Sequence, residues 1–237
     1  MPLPSIEVPK YKLKVPSTGK MITYRPFLVK EEKILLTAME TGDDESILLQ
    51  ALFDILEKCI ETKNVNIREF APFDMEYIFL QLRAKSVGEE AEMNIVCSNK
   101  ECKQSFEYAV NLTDLKVIKN KKHTNKIQLS DELGIVMKYP NMEIANTFFK
   151  NSDTEELFKM VAGCIDSIYT QDEVFSHKDH TTEELENFIE QLSPEFFQKI
   201  MQFFETMPTM KNELDCKCPF CKEETKVVVR GVDDFFI

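Results

Sequence analysis

Tryptophan is missing from this 237-residue chain, and glycine occurs only six times. So few glycines leave little material for a phosphate-cradling loop, and no P-loop, G-x-G-x-x-G, G-x-S-x-G or H-E-x-x-H pattern occurs. Positive charge is scarce as well: 29 Lys and Arg face 41 Asp and Glu, giving a formal net charge of −12 and a pI near 4.9. Broad electrostatic capture of nucleic acid needs a basic surface, which this balance withholds. No run approaches the roughly 18 consecutive apolar residues of a membrane-spanning helix, so none is expected. The first residues, Met1-Pro2-Leu3-Pro4-Ser5-Ile6-Glu7, carry neither a basic start nor an apolar stretch, so no secretory signal is expected. What is present, 43% hydrophobic and 30% charged residues, is the mixture of a globular protein that works through protein contacts or as a scaffold.

Residues 11–27 read as a β-hairpin: Tyr11-Lys12-Leu13-Lys14-Val15 alternates, Pro16-Ser17-Thr18-Gly19 supplies the turn, and Met21-Ile22-Thr23-Tyr24 returns. A helix is predicted from Val29 to about Gly42. Asp43-Asp44-Glu45-Ser46 then offers capping oxygens for a second helix running to about Thr62, with Leu48, Leu52, Ile55, Leu56 and Cys59 on one stripe. Pro72 fits the first turn of a third helix, which Gly88 ends. Met93-Asn94-Ile95-Val96 and Phe106-Glu107-Tyr108-Ala109-Val110 read as strands on either side of a cysteine pair.

The same order then recurs. Leu52-Phe53-Asp54-Ile55-Leu56-Glu57-Lys58-Cys59-Ile60-Glu61 aligns without gaps to Leu157-Phe158-Lys159-Met160-Val161-Ala162-Gly163-Cys164-Ile165-Asp166, sharing Leu, Phe, Cys and Ile. Each copy places a strand closing on Tyr and Pro before the helices (Tyr24-Arg25-Pro26, Tyr139-Pro140) and a Pro-initiated helix behind them (Pro72, Pro194). A cysteine knuckle between strands follows each. The expected fold class is α+β: two pseudo-repeated, mainly helical units, residues 1–115 and 116–237, with antiparallel β elements joined at a zinc-ribbon-like four-cysteine site. Basic Lys116–Lys122 reads as the connector, and acidic 171–186 as a loop leading to a helix start at Thr181.

Seven cysteines, an odd number without an export signal, point to thiols and not disulfides. Thiolate sulfur suits zinc, and a short knuckle between two strands aims two sulfurs at one ion. Cys218-Pro219-Phe220-Cys221 has the C-x2-C spacing, and Cys97 and Cys102 form a longer C-x4-C. The expected ligands are Cys97, Cys102, Cys218 and Cys221 around one structural Zn2+, with no coordination position left for catalysis. Cys216, two residues before Cys218, stands as a spare thiol. Cys59 and Cys164 fall on apolar helix stripes and read as inert core thiols. His177 and His180 have H-x2-H spacing but sit in a charged loop, His123 carries no signal, and the acid pairs Asp43/Asp44 and Asp233/Asp234 read as caps and solvated ends.

Two features point toward protein contact: the helix carrying Phe196, Phe197, Ile200, Met201, Phe203, Phe204 and Met207, most of which read as core with a second apolar face left for a partner, and the apolar tail Val232–Ile237, which reads as docked on the core or else as partner-seeking. Three runs in addition carry a family resemblance: Tyr24-Arg25-Pro26-Phe27-Leu28-Val29-Lys30-Glu31-Glu32-Lys33, then Leu82-Arg83-Ala84-Lys85-Ser86-Val87-Gly88, and Arg230-Gly231 before Asp234-Phe235-Phe236. With the knuckles, they resemble the baseplate hub, or hub assembly, proteins of T4-like bacteriophages. The resemblance implies a non-enzymatic hub component or assembly factor. Its partners would be baseplate hub and tail proteins, with self-association compatible, and no nucleic acid or membrane. It would work in the host cytoplasm during assembly or in the tail baseplate of the virion. The competing readings are a nucleic-acid-binding zinc-ribbon regulator, for which Lys116–Lys126 is the basic cluster available, and a zinc hydrolase using the histidines with a cysteine pair.

Overall fold

The computed structural model describes residues 7–40, 45–151 and 153–230. The acid pairs Asp43/Asp44 and Asp233/Asp234, the Gly231–Phe236 part of the family signature and the tail Val232–Ile237 lie outside the described residues. The fold is mixed α+β, with seven α-helices and small antiparallel sheets among the described residues.

Strands β1 (Tyr11–Lys14) and β2 (Met21–Tyr24) form the expected hairpin, Tyr11 opposite Tyr24. Gly19 closes its turn at φ 71°, a backbone region that a Cβ makes costly. Helices α1 (Val29–Glu40), α2 (Glu45–Cys59) and α3 (Pro72–Ser86) follow. The α2 stripe buries Leu52, Ile55, Leu56 and Cys59. This helix was expected to reach Thr62, but the sheet captures its end: Ile60 bridges to Tyr24, Glu61 N–H donates to Thr23 O, and Arg25 N–H donates to Cys59 O. α3 is tied at both ends to the hairpin side of the fold. Asp74 Oδ1 accepts from Ser17 N–H and Ser86 Oγ accepts from Phe27 N–H, each at 2.9 Å. β3 (Glu90–Val96) and β4 (Ser105–Asn111) form a second hairpin, β3 starting three residues before the predicted strand.

β5 (Lys126–Gln128), β6 (Gly134–Met137), β7 (Ile165–Tyr169) and β8 (Val174–Ser176) build one antiparallel sheet in the order β5-β6-β7-β8. α4 (Met142–Asn151) and α5 (Thr154–Gly163) connect β6 to β7. α6 (Thr182–Glu190) starts at the predicted place: Thr181 Oγ1 accepts from Glu184 N–H while Glu184 Oε2 accepts from Thr181 N–H. The approach to it is more ordered than the expected loop, holding β8 and a 3-10 turn at 177–179. α7 (Pro194–Glu205) buries Ile200 and Phe203. Phe196, Phe197, Met201, Phe204 and Met207 pack partly buried against the same core, in line with the expectation that most of this helix's apolar residues are core. β9 (Lys211–Lys217) and β10 (Glu224–Arg230) form the last hairpin.

Two compact units emerge, and they divide the chain differently from its sequence halves. One contains Met1–Ile67, Phe73–Ile118 and Thr209–Ile237; the other contains Arg68–Pro72 and Lys119–Pro208. The second knuckle therefore belongs to the same compact unit as the first. The physical reason is visible at its root: Ile118 and Thr209 exchange N–H···O bonds of 2.8 and 3.1 Å, and Asn212 exchanges 3.1 Å bonds with the backbone of Lys116. Each unit repeats one local arrangement. In the first, Tyr24 pairs with Ile60 and Arg25 N–H donates to Cys59 O; in the second, Met137 pairs with Ile165 and Lys138 N–H donates to Cys164 O.

His123, silent in the sequence, has both ring nitrogens engaged. Nδ1 lies 3.0 Å from Thr206 Oγ1, and Nε2 lies 2.9 Å from Tyr139 OH. The Thr206 hydroxyl spends its proton on Gln202 O at 2.6 Å, which makes Nδ1 the protonated nitrogen and Nε2 the acceptor from tyrosine. Burial lowers the pKa of this imidazole. A depressed folded value means that its stabilising contribution is present above the unfolded value of about 6.5 and is lost as pH falls through the lower folded one. Nitrogen NMR at pH 7 is expected to show the Nδ1–H tautomer, with a titration midpoint below that of a free histidine; a midpoint at or above the free value would contradict the network.

Candidate metal centre

The β3–β4 and β9–β10 hairpins end in turns built alike. Cys97 N–H donates to Gln104 O and Cys218 N–H to Glu223 O, each at 3.0 Å, as the last rung of its ladder. Lys103 N–H then donates to Asn99 O at 3.1 Å and Lys222 N–H to Cys218 O at 2.9 Å. Lys103 at φ 47° and Lys222 at φ 62° occupy the left-handed region directly after the second cysteine of each knuckle, reversing the chain. Cys97 is thus the counterpart of Cys218, and Cys102 of Cys221. The C-x4-C spacing is the same knuckle with a longer tip.

All four predicted ligands meet. The sulfurs of Cys97, Cys102, Cys218 and Cys221 lie within 4.8 Å of one another, and all four cysteines are free thiols. Across the knuckles, Cys97 Sγ stands 3.6 Å from Cys221 Sγ, and Cys102 Sγ stands 3.9 Å from Cys218 Sγ. A tetrahedral ion with metal–sulfur bonds of about 2.3 Å needs sulfur–sulfur edges of roughly 3.8 Å, so the cage has the size of such a site. Cys97 and Cys218 are buried, and Ile95 and Phe106 belong to the same apolar cluster.

Four thiols packed this closely cannot ionise independently. Burial resists ionisation of Cys218, but the backbone N–H groups of Cys221 and Phe220 and the Cys221 and Cys97 thiols favour its thiolate and bring its pKa down to about 7. For Cys221 the Glu223 N–H favours the thiolate, yet desolvation and the three neighbouring sulfurs outweigh it and push the value up to about 12. One thiolate forms readily and suppresses the next. A divalent cation held between the four sulfurs would supply the charge that lets all four ionise.

Cys216 lies in β9, not in the cage. Its thiol donates to Thr225 O at 3.1 Å, and the Thr225 hydroxyl donates to Cys97 Sγ at 3.7 Å. Cys59 and Cys164 are fully buried, and burial pushes their thiols up to about 11 and about 12. His177 Nδ1 faces Asp166 O at 2.9 Å, while His180 Nδ1 lies 3.7 Å from Glu184 Oε2; neither joins a metal-sized group among the described residues.

One polar centre escaped the sequence reading. Glu31 is 1% exposed and receives Arg25 Nη2 at 3.0 Å and Leu28 N–H at 2.9 Å. Arg25 also donates to Pro26 O and, at the end of α2, to Lys58 O. An acid three residues after Leu28, bonding back to its N–H, was the available signal.

With an α+β scaffold and a cage of four sulfurs described, the class follows: the chain belongs to the T4 bacteriophage base plate protein family, which it matches over residues 8–237. Family membership supports a structural or assembly role in the phage baseplate. Among curated proteins it is similar to the baseplate hub assembly protein gp26 of Enterobacteria phage T4, at 26% identity over 228 residues, 96% of this chain and 98% of that protein. No solved structure matches. Among the described residues no helix is long and apolar enough to cross a membrane.

Proposed function

We propose that this chain is a non-enzymatic hub component or hub assembly factor of a contractile-tail baseplate, and that Cys97, Cys102, Cys218 and Cys221 hold one structural zinc ion. The observation that carries the hub reading is the alignment with a hub assembly protein along nearly the whole of both chains. Its partners would be other baseplate proteins. Four thiolates fill a tetrahedral ion's coordination, so the ion stabilises the fold and offers no position to a substrate or water. The scaffold is an ancestral duplication with copies at 1–115 and 116–237. Two backbone arrangements support this: the Tyr24–Ile60 and Met137–Ile165 pairs beside equivalent buried cysteines, and the matching knuckle turns.

Phage carrying a stop codon in this gene test the hub reading. Electron microscopy is expected to show tails arrested before a complete baseplate, restored by supplying the protein in trans. Complete, infectious particles without it would overturn the assignment. Elemental analysis of the purified protein is expected to give one zinc per chain.

Thr225 is expected to act on that ion through sulfur. Thr225→Val removes the hydroxyl that donates to Cys97 Sγ and keeps the shape. Outer hydrogen bonds to metal ligands commonly matter by about 10–100-fold in affinity. The variant should retain zinc on purification but yield it to a competing chromophoric chelator at roughly tenfold lower chelator concentration.

A further inference from the structure

We propose that the four-thiol cage is also an oxidation site with a fixed pairing: a disulfide-forming oxidant replaces the ion by two bridges that run between the hairpins, Cys97–Cys221 and Cys102–Cys218. This rests on the metal reading for its starting state but makes a separate statement about the sulfurs. Cysteines spaced C-x2-C often close on themselves, so pairing within each knuckle is the ordinary expectation for such a sequence. The structure points elsewhere.

The two contacts of 3.6 and 3.9 Å join Cys97 to Cys221 and Cys102 to Cys218. They are disjoint, use all four thiols and leave none over. Within the second knuckle, the turn is closed by Lys222 N–H on Cys218 O at 2.9 Å. A bridge across the hairpins needs only the approach of two sulfurs from contact to the bonded length of about 2.05 Å. Cys216 is held away by its bond to Thr225 O and stays reduced.

The chemistry balances with a low-molecular-weight disulfide such as oxidised glutathione. A cage thiolate attacks one sulfur of the reagent, forming a mixed disulfide and expelling one small thiolate. The opposed cage thiolate then attacks the protein sulfur of that mixed disulfide, the protein S–S bond forms, and the second small thiolate leaves. Each bridge passes two electrons to one reagent molecule. Two bridges consume two reagent molecules, release four small thiolates and free the divalent ion to water. The hairpins remain fastened to each other, now covalently.

Peptide mapping by mass spectrometry without reduction, on the full chain treated with oxidised glutathione and a chelator, tests this. The expected products are the 97–221 and 102–218 linked peptides, with Cys216 recovered as an alkylated free thiol after denaturation. Cys216→Ser should give the same two bridges. Predominant Cys97–Cys102 or Cys218–Cys221 bridges, a bridge to Cys216, or a fully reduced cage would each overturn the pairing. Zinc is measured on the untreated sample: its absence there would count against the metal reading alone, while the mapping still decides the pairing.

Discussion

Cys97→Ser is expected to leave the purified protein without a full complement of zinc and to lower its thermal midpoint far more than Cys216→Ser does. The serine oxygen is a poor soft ligand, and the substitution disturbs two contacts of the Cys97 sulfur together. Cys97 sits at the last rung of its hairpin, 3.6 Å from Cys221 Sγ, and accepts from the Thr225 hydroxyl. Structural zinc is worth on the order of 10 kcal/mol in small peptides. If about half of that applies here, a fall of roughly 10–20 °C follows, at about 2–4 °C per kcal/mol for a chain of this size. Cys216→Ser supplies the contrast, because a serine hydroxyl can still donate to Thr225 O, and zinc content should stay at the wild-type level. Calorimetry and elemental analysis on the two variants side by side check both statements. Equal zinc content in both would mean that Cys97 is not a ligand.

The other large effect is expected at Arg25. Arg25→Met leaves the buried carboxylate of Glu31 with only the exposed Lys30 ammonium as a cation, and removing one partner of a buried ion pair costs about 3–5 kcal/mol. Because the Arg25 side chain keeps an edge in solvent, the lower end, about 3 kcal/mol, is the expected loss at pH 7. The pH dependence separates this cause from lost packing. In the wild type, burial acts against the Glu31 carboxylate, but the hydrogen bonds from Arg25 and from Leu28 N–H prevail and hold its pKa below the usual range. That stabilisation is present above the unfolded value of about 4.3 and is lost as pH falls through the lower folded value. In Arg25→Met burial, the Leu28 bond and the exposed Lys30 ammonium 3.5 Å from Oε1 remain, the folded pKa rises, and protonation relieves the variant. Urea denaturation at pH 7 and near pH 4.5 is expected to show the gap between variant and wild type narrowing with acid. A constant gap would assign the loss to packing.

Local chemistry was legible in the sequence. Pro72 and Pro194 mark the first turns of α3 and α7, Thr181 with Glu184 caps α6, and the stripe ending at Cys59 is buried. These signals lie within a few residues of the structure that they specify. The four cage cysteines could be read because knuckle spacing and flanking strands constrain where a thiol can point. The rest depends on partners distant in sequence. α2 ends early because Ile60 finds Tyr24; β7 follows α5 because Ile165 finds Met137. His123 becomes a fastened residue only when Tyr139 and Thr206 arrive on either side. The compact units likewise depart from a cut in mid-sequence because 209–230 returns to pair at Ile118 and Lys116.

That return has an evolutionary consequence. The backbone departs at Ile118 and comes back at Thr209 through the same hydrogen-bonded doorway. Everything between is an excursion whose ends are already held side by side, so lengthening or trimming it leaves the closure geometry unchanged and adds little entropic cost. Insertions or deletions within that excursion are therefore expected to leave the register of the sulfur-bearing hairpins unchanged.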